Sequence, residues 1–587
     1  MKVPRIIAFC LLFIPVVLSA CGGGTTSTAI PTPTKAVQAV LPSPTPTIPA
    51  EPTQTPEPTR DPNLPVTRGS VSIGILKEPK YVSPLMTDNP VGLMASTLML
   101  EGLMGITPEG SYEPVLVADM PIVSEDGLKV TYTLKEGIQF SDGDLFTCED
   151  VQFTWKAILS PAAQADRTGY ELINSIECPD EQTVVISFNE VYPDYLRLFN
   201  YIIPQTAGDL GSLASWGYHT APIGTGPWKV AEWQIGDHIT LRKNPYYREE
   251  GRPYLDSVIL KFFPNWETGL EMLREGEIDV NWNLGETDIL TLENLSSEGI
   301  RFEAMPSGEN EMLLFNLADP KANAPLDAAA SPHPILSDPG VRQAIQLGID
   351  RQLIVEKLLG GKTEVSSSAL PAERFGCTLS PGEYNPEKAK ALLEEAGWKV
   401  GADGVREKNG ARLSMKITAE EDNPLRGEIE AILVEQMKAL GIELIVENVP
   451  HKEFYANWES IGLRKRGFFD MIIHSSGGLG DPVDILRRDY HSSRIPSIRT
   501  HGNGNNFSRY SNGEVDGWLD EAAHTMDEGR RNELICKALE QIAEDMPVVY
   551  LYESLLVSGY NERLQNLRMV PGPGIFTYGS QDWWVRP

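Results

Sequence analysis

The stretch "APIGTGPWKVAEW", Ala221 to Trp233, puts Gly224 and Gly226 two apart with Lys229 three further on, a spacing that could begin a phosphate-cradling loop. A nucleotide loop needs G-x-x-x-x-G-K-[ST] between a strand and a helix, so that backbone N–H groups and a helix N-terminus face the phosphates. Here Val230 follows Lys229, and Pro227 supplies no N–H. The strand-like runs "WKVAEWQ" and "HITLRKN" flank Ile235-Gly236-Asp237, so the glycines lead into a β-hairpin and cradle no phosphate. Other chemistry is equally thin. There is no G-x-S-x-G and no H-E-x-x-H, and the 81 Asp and Glu are scattered. The eight histidines, His219, His238, His333, His451, His474, His491, His501 and His524, form no linear metal motif. The expectation is a protein that is not an enzyme, with no catalytic residue, no cofactor and no motif-encoded metal.

The formal net charge of -31 would repel nucleic acid and anionic lipid, which removes nucleic acid from the expected partners. At the N-terminus, Lys2 and Arg5 precede the apolar run Ile6 to Leu18. That run is too short to span a membrane and has the size of a signal-peptide core. It ends in "LSAC", Leu18 to Cys21, which resembles a lipobox. The expectation is a signal peptide over 1–20 and lipidation of Cys21. Thr25 to Val66 then holds 11 Pro and 10 Thr in 42 residues with no aromatic residue, so 21–66 reads as an extended tether with a reach of roughly 3.1 Å per residue. Of the remaining cysteines, Cys148, Cys178, Cys377 and Cys536, export permits disulfides. Three full pairings exist; proximity favours Cys148 with Cys178, and leaves the other two either paired or reduced.

The elements behind these residues show in their periodicities. Val130, Tyr132 and Leu134 alternate with Thr131, Thr133 and Lys135 as in a half-buried strand. After a turn at Asp142-Gly143, Thr147 and Asp150 form a capping-box pattern before Val151, Thr154, Trp155, Ile158 and Leu159 at helical spacing. Asp338-Pro339 starts a helix, Asp350 caps a second ending at Gly360-Gly361, and Asn385-Pro386 caps a third closed by Gly397. Strand-like "ARLSMKI", "IELIVENV" and "FDMIIHSS" alternate with them, which gives a mixed α/β fold class.

Five of these stretches, "YTLKEGIQFSDGDLFTCEDVQFTW", "IGTGPWKVAEWQIGDHITLRKNPYY", "DPGVRQAIQLGIDRQLIVEKLLGG", "YNPEKAKALLEEAG" and "FDMIIHSSGGLGDPVDIL", resemble in order the landmarks of the bacterial family 5 extracellular solute-binding proteins, the oligopeptide-, dipeptide- and nickel-binding type of ABC importers. The resemblance covers about Val66 to Pro587. It implies a two-lobed periplasmic-binding-protein-like fold of the large type, with an extra subdomain in the first lobe and a hinge. The first lobe is expected over 67–312, the second over 313–547 and the return to the first over 548–587. It further implies capture of a peptide-like or oligosaccharide-like solute and delivery to ABC permease subunits. The protein is expected to act as a monomer outside the cytoplasm, held to the membrane by its lipid. The alternative is a transporter-independent surface sensor or adhesive module on the same fold. In peptide-binding members an Asp shortly before the Asp-Pro neutralises the ligand's α-amino group; the matching position here holds Gly478, ahead of Asp481-Pro482. The cleft implied by the resemblance draws its candidate ligand-binding residues from His474, Ser475, Ser476, Gly477, Gly478, Asp481 and His451 in the second lobe, and Asn89, Trp233 and Trp282 in the first.

Overall fold

The computed structural model describes residues 68–586 apart from 88, 109, 322–330, 479, 573 and 575. The signal peptide, Cys21 and the tether lie outside the described residues. No helix among the described residues is long and apolar enough to cross a membrane.

A ten-stranded sheet runs through the molecule in the order 443–446, 414–418, 471–477, 300–315, 548–561, 280–284, 70–76, 257–263, 238–243 and 228–234. Its two central strands, Ile300–Phe315 and Val548–Asn561, are antiparallel and long enough to run from one hydrophobic core, beside Met305, Leu556 and Tyr560, to another, built around Leu313, Phe315, Val549 and Leu551. One end of the pair joins Val280–Leu284 and the strands beyond it, and the other joins Met471–Gly477. The register between them shifts midway: Pro306 faces Leu555 while Asn310 faces Glu553, so Ser307, Gly308 and Glu309 bulge out.

Alternation along these strands builds two cores in the second lobe. Leu313, Phe315, Met471 and Ile473 pack on one face, and Met312, Leu314 and Ile472 on the other. Strands covered on both sides have no solvent face, which is why "MIIH" carries no polar alternation. In the first lobe Val71, Ile73 and Ile75 join one large core with Val130, Tyr132 and Leu134 of the inserted subdomain. That subdomain is a four-stranded sheet (122–123, 129–133, 183–188, 173–177) with the helix Cys148–Ile158, whose first turn is held by Thr147 N–H donating to Asp150 at 2.9 Å.

The hairpin read from "WKVAEWQ" and "HITLRKN" is present as Trp228–Gln234 against His238–Lys243. A Cβ on Gly224 or Gly226 would stand 2.2 or 2.7 Å from the Met99 carbonyl oxygen, so both glycines permit a backbone contact, sealed by Gly226 N–H to Met99 O at 2.9 Å. Helices Pro339–Gly348, Arg351–Leu359 and Pro386–Glu395 carry Asp338, Asp350 and Asn385 as side-chain N-caps. Both cysteine pairs are disulfides: Cys148 with Cys178, and Cys377 with Cys536. The second was left open by the sequence because 159 residues separate its members; the fold brings them to 5.8 Å between Cα atoms.

Candidate ligand-binding cleft

The C-terminal end of the strand Met471–Gly477 runs into the helix Pro482–Tyr490. Asp481 caps that helix, accepting from Val483 N–H at 2.8 Å and Asp484 N–H at 3.0 Å, and its second oxygen pairs with Arg531. Pro482 at the first helical position needs no N–H partner, so "GDPVD" is a built helix start. In front of it lies a cavity of about 1900 Å³. Its walls come from every part of the fold. The first lobe gives Leu93, Thr97 and Glu101; the inserted subdomain Tyr192 and Arg197; the second lobe Gly477, Gly478, Asp484 and Arg488; the C-terminal segment Thr577 and Tyr578. Ser307 and Glu309 of the bulge line it as well, so the cavity reaches the two long central strands.

The lobes touch across it. A Cβ on Gly480 would stand 2.9 Å from Arg197 Nη1, one on Gly127 would stand 3.1 Å from Met526 Cγ, and His524 Nε2 lies 3.9 Å from Glu190 Oε2. At this contact Asp194 is largely buried, with Arg197 at 3.8 Å and one carboxylate oxygen without a hydrogen bond. Burial, and then the charge of Asp481, push its carboxyl up to about 7 against the opposing pull of Arg197 and Arg531. Asp484 is raised by burial and by Asp481. Three of the cavity's arginines are matched by carboxylates. Arg248 donates to Glu101 at 2.5 Å, Arg252 to Asp582 at 2.7 Å, and Arg488 to Asp489 at 2.8 Å. Arg488 also donates to Ser476 Oγ and to the Gly477 carbonyl oxygen.

Chain 111–497 matches the family described as bacterial extracellular solute-binding proteins, family 5 Middle. The protein belongs to this family. Its sequence is 28% identical over 540 residues to the oligopeptide-binding protein AppA of Bacillus subtilis (strain 168), covering 88% of this chain and 92% of that protein. It is 25% identical to the glutathione-binding protein GsiB of Escherichia coli (strain K12), covering 82% and 88%. Among solved structures, NikZ of Campylobacter jejuni in complex with Ni(L-His) superposes with a TM-score of 0.70 at 24% identity, over 89% of this chain and all of that one. AppA of Bacillus subtilis in complex with a nonapeptide gives 0.65 at 24%, with the same coverage. The two-lobed fold and solute capture for an ABC importer are thus those of a family 5 binding protein.

Of the residues that the family resemblance singled out, Gly477, Gly478 and Asp481 line the cavity. Gly477, at φ 138°, abuts the bulge, and a Cβ there would stand 2.2 Å from the Gly308 carbonyl oxygen. Gly478 N–H donates to that oxygen at 2.8 Å, and nothing lies within 4 Å of where its own Cβ would be. The position that carries a carboxylate in peptide-binding members is open space here, and Asp481 is engaged with its helix and Arg531.

The other seven stand off the cavity wall. His474 faces the second-lobe core, donates from Nδ1 to the Ser475 carbonyl oxygen at 2.9 Å, and is held to about 3 by burial and by Arg464 and Arg426, so it is neutral. Ser475 donates to Glu311 and accepts from Arg426 on the opposite face. Ser476 serves Arg488 and Asp489. Asn89 caps the helix Pro90–Thr97 by accepting from Val91 N–H, leaving Pro90 to line the cavity. Trp233 donates to Glu78 at 2.7 Å beside a separate groove, and Trp282 is a core residue packed on Phe576. His451 is exposed and bonded to Glu420. Trp282 sits in a strand buried on both faces, Val280–Leu284, and so fills a core, as strand Trp residues commonly do.

The sequence reading missed Tyr192, Arg197, Asp484 and Arg488. The last two were within reach: they sit four apart on the helix that Asp481-Pro482 announces, and so share one face. Nothing local marks "VYPDYLR" as a cleft wall, since its approach to residue 480 is a tertiary contact.

Proposed function

We propose that this family 5 protein is the lipid-anchored receptor of an ABC importer, capturing an extended solute of peptide or oligosaccharide size between its lobes. Lipidated Cys21 and the tether over 21–66 hold it at the outer face of the cell membrane. The first lobe spans 67–312, the second 313–547, and 548–587 returns to the first, with the Ser307–Glu309 bulge as the joint. It works as a monomer, without turnover. The observation that carries this reading is the cavity of about 1900 Å³, roughly twice the upper end of ordinary small-molecule pockets and walled by both lobes. A ligand touching both walls favours their approach; one held by a single wall does not. The relatives' ligands, a nonapeptide and Ni(L-His), show how different the occupants of this fold are.

With Arg248, Arg252 and Arg488 paired internally and Gly478 in place of a carboxylate, the cleft favours recognition by backbone-like hydrogen bonds and aromatic contact over a fixed ion pair with a terminal ammonium. The test is a thermal-shift screen of peptides of graded length, oligosaccharides and metal chelates on protein lacking residues 1–66. A cognate solute at a hundredfold excess over its Kd adds about 2.7 kcal/mol to stability. Stabilisation by an extended solute, lost on Arg488→Ala, is expected. Stabilisation only by free dipeptides, or consumption of the ligand, would overturn the reading.

A further inference from the structure

Glu420, Asp422 and His451 lie at the end of the second-lobe sheet, brought together by the parallel bridge between Glu420 and Val449, which sets His451 two residues beyond Val449. One donor atom from each of the three falls within 4.8 Å of the others. His451 Nδ1 stands 2.8 Å from Glu420 Oε2. Ligands about 2.05 Å from a six-coordinate ion are about 2.9 Å apart when adjacent and about 4.1 Å apart when opposite, so the His451–Glu420 pair has the spacing of two adjacent ligands, and the Asp422 donor, within 4.8 Å of both, reaches the same ion with a small side-chain adjustment.

The donors are also oriented from behind. The other Glu420 oxygen accepts from Arg426 Nη1 at 2.6 Å, which fixes the carboxylate plane. The imidazole of His451 lies 4.5 Å from the Tyr455 ring. Such outer contacts preset metal ligands. Arg426 does not cancel the cluster's charge, because it is itself paired with Glu311 at 2.6 Å. Arg464, 4.0 Å from the Tyr455 ring, adds a second cation. Three carboxylates against two guanidiniums leave the neighbourhood negative. Glu420 is buried, whereas Asp422 and His451 are exposed, so water can complete the coordination sphere.

We propose that Glu420, Asp422 and His451 form a binding site for a divalent first-row transition-metal ion, separate from the solute cavity. The nitrogen donor favours such an ion over calcium or magnesium, and the absence of a thiolate disfavours copper(I). On binding, the His451–Glu420 hydrogen bond is replaced by two metal–ligand bonds: the imidazole takes the tautomer protonated at Nε2, releasing its Nδ1 proton to solvent if it was doubly protonated, and enters through Nδ1.

Zn²⁺ titrated calorimetrically into the untagged full-length protein tests this, with Co²⁺ absorption as the second readout. One equivalent is expected to bind, and Co²⁺ to give visible bands of an N/O-coordinated ion. His451→Ala should weaken Zn²⁺ at least tenfold and abolish the Co²⁺ bands, Asp422→Asn should weaken Zn²⁺ several-fold, and His524→Ala should leave both unchanged. His451 and Asp422 are exposed, so these variants keep the fold, checked by an unaltered melting curve. A flat titration, binding of Ca²⁺ in preference to Zn²⁺, or wild-type affinity in His451→Ala would overturn the proposal.

Discussion

Burial of Asp194 against Asp481 gives one carboxyl a titration near neutrality. Because the folded protein raises its pKa from 3.8 to about 7, folding favours the protonated form. The associated stability is present below about pH 4 and is lost as pH rises through 7. Urea midpoints of wild type should therefore fall between pH 4.5 and 8 relative to those of Asp194→Asn, by at most about 4 kcal/mol in stability. Parallel curves would mean that solvent or Arg197 already satisfies the group. The second residue-scale prediction concerns Arg426, which bonds Glu311 and Glu420 in the interior. Arg426→Ala leaves the buried Glu311 carboxylate without a cation, with only the Ser475 hydroxyl donating to it, and should cost about 3–5 kcal/mol in chemical denaturation, more than a typical surface ion pair. A loss under about 1 kcal/mol would show that water takes the guanidinium's place.

At the scale of elements, the strand end at Gly477 and the bulge at Gly308 are in backbone contact, and both face the solute cavity. A side chain at 477 meets two obstacles: a φ of 138° that suits only glycine, and the Gly308 oxygen at 2.2 Å. Gly477→Ala is expected to lower stability by about 2–4 kcal/mol and solute affinity more than tenfold, read by denaturation and calorimetry. Gly478→Ala shares the positive φ but has open space around its Cβ, so it should show the backbone penalty alone. Equal effects of the two would remove the bulge from the mechanism. The capped helices were legible from sequence because an N-cap is local: Asp338, Asp350 and Asn385 each sit next to the N–H groups they accept from. The hairpin after Gly226 was legible for the same reason.

Across the whole molecule, the sheet is continuous from residues 443–446 at one edge to 228–234 at the other, and the two lobes share it through the strands Ile300–Phe315 and Val548–Asn561. Solute binding that draws the lobes together should appear as a decrease in the radius of gyration in small-angle scattering, diminished in Gly477→Ala; an unchanged radius at saturation would place recognition on one lobe. Local pattern and motif order determined the mixed α/β class, the individual helices and strands, the family and the first disulfide, because each depends on residues close along the chain. Tertiary structure decided the rest. It paired Cys377 with Cys536 across 159 residues, set Asp194 beside Asp481, turned Trp282 into the core, and joined Glu420 to His451. In each case the deciding contact is between separate elements of the fold, and no periodicity of either element carries information about the other.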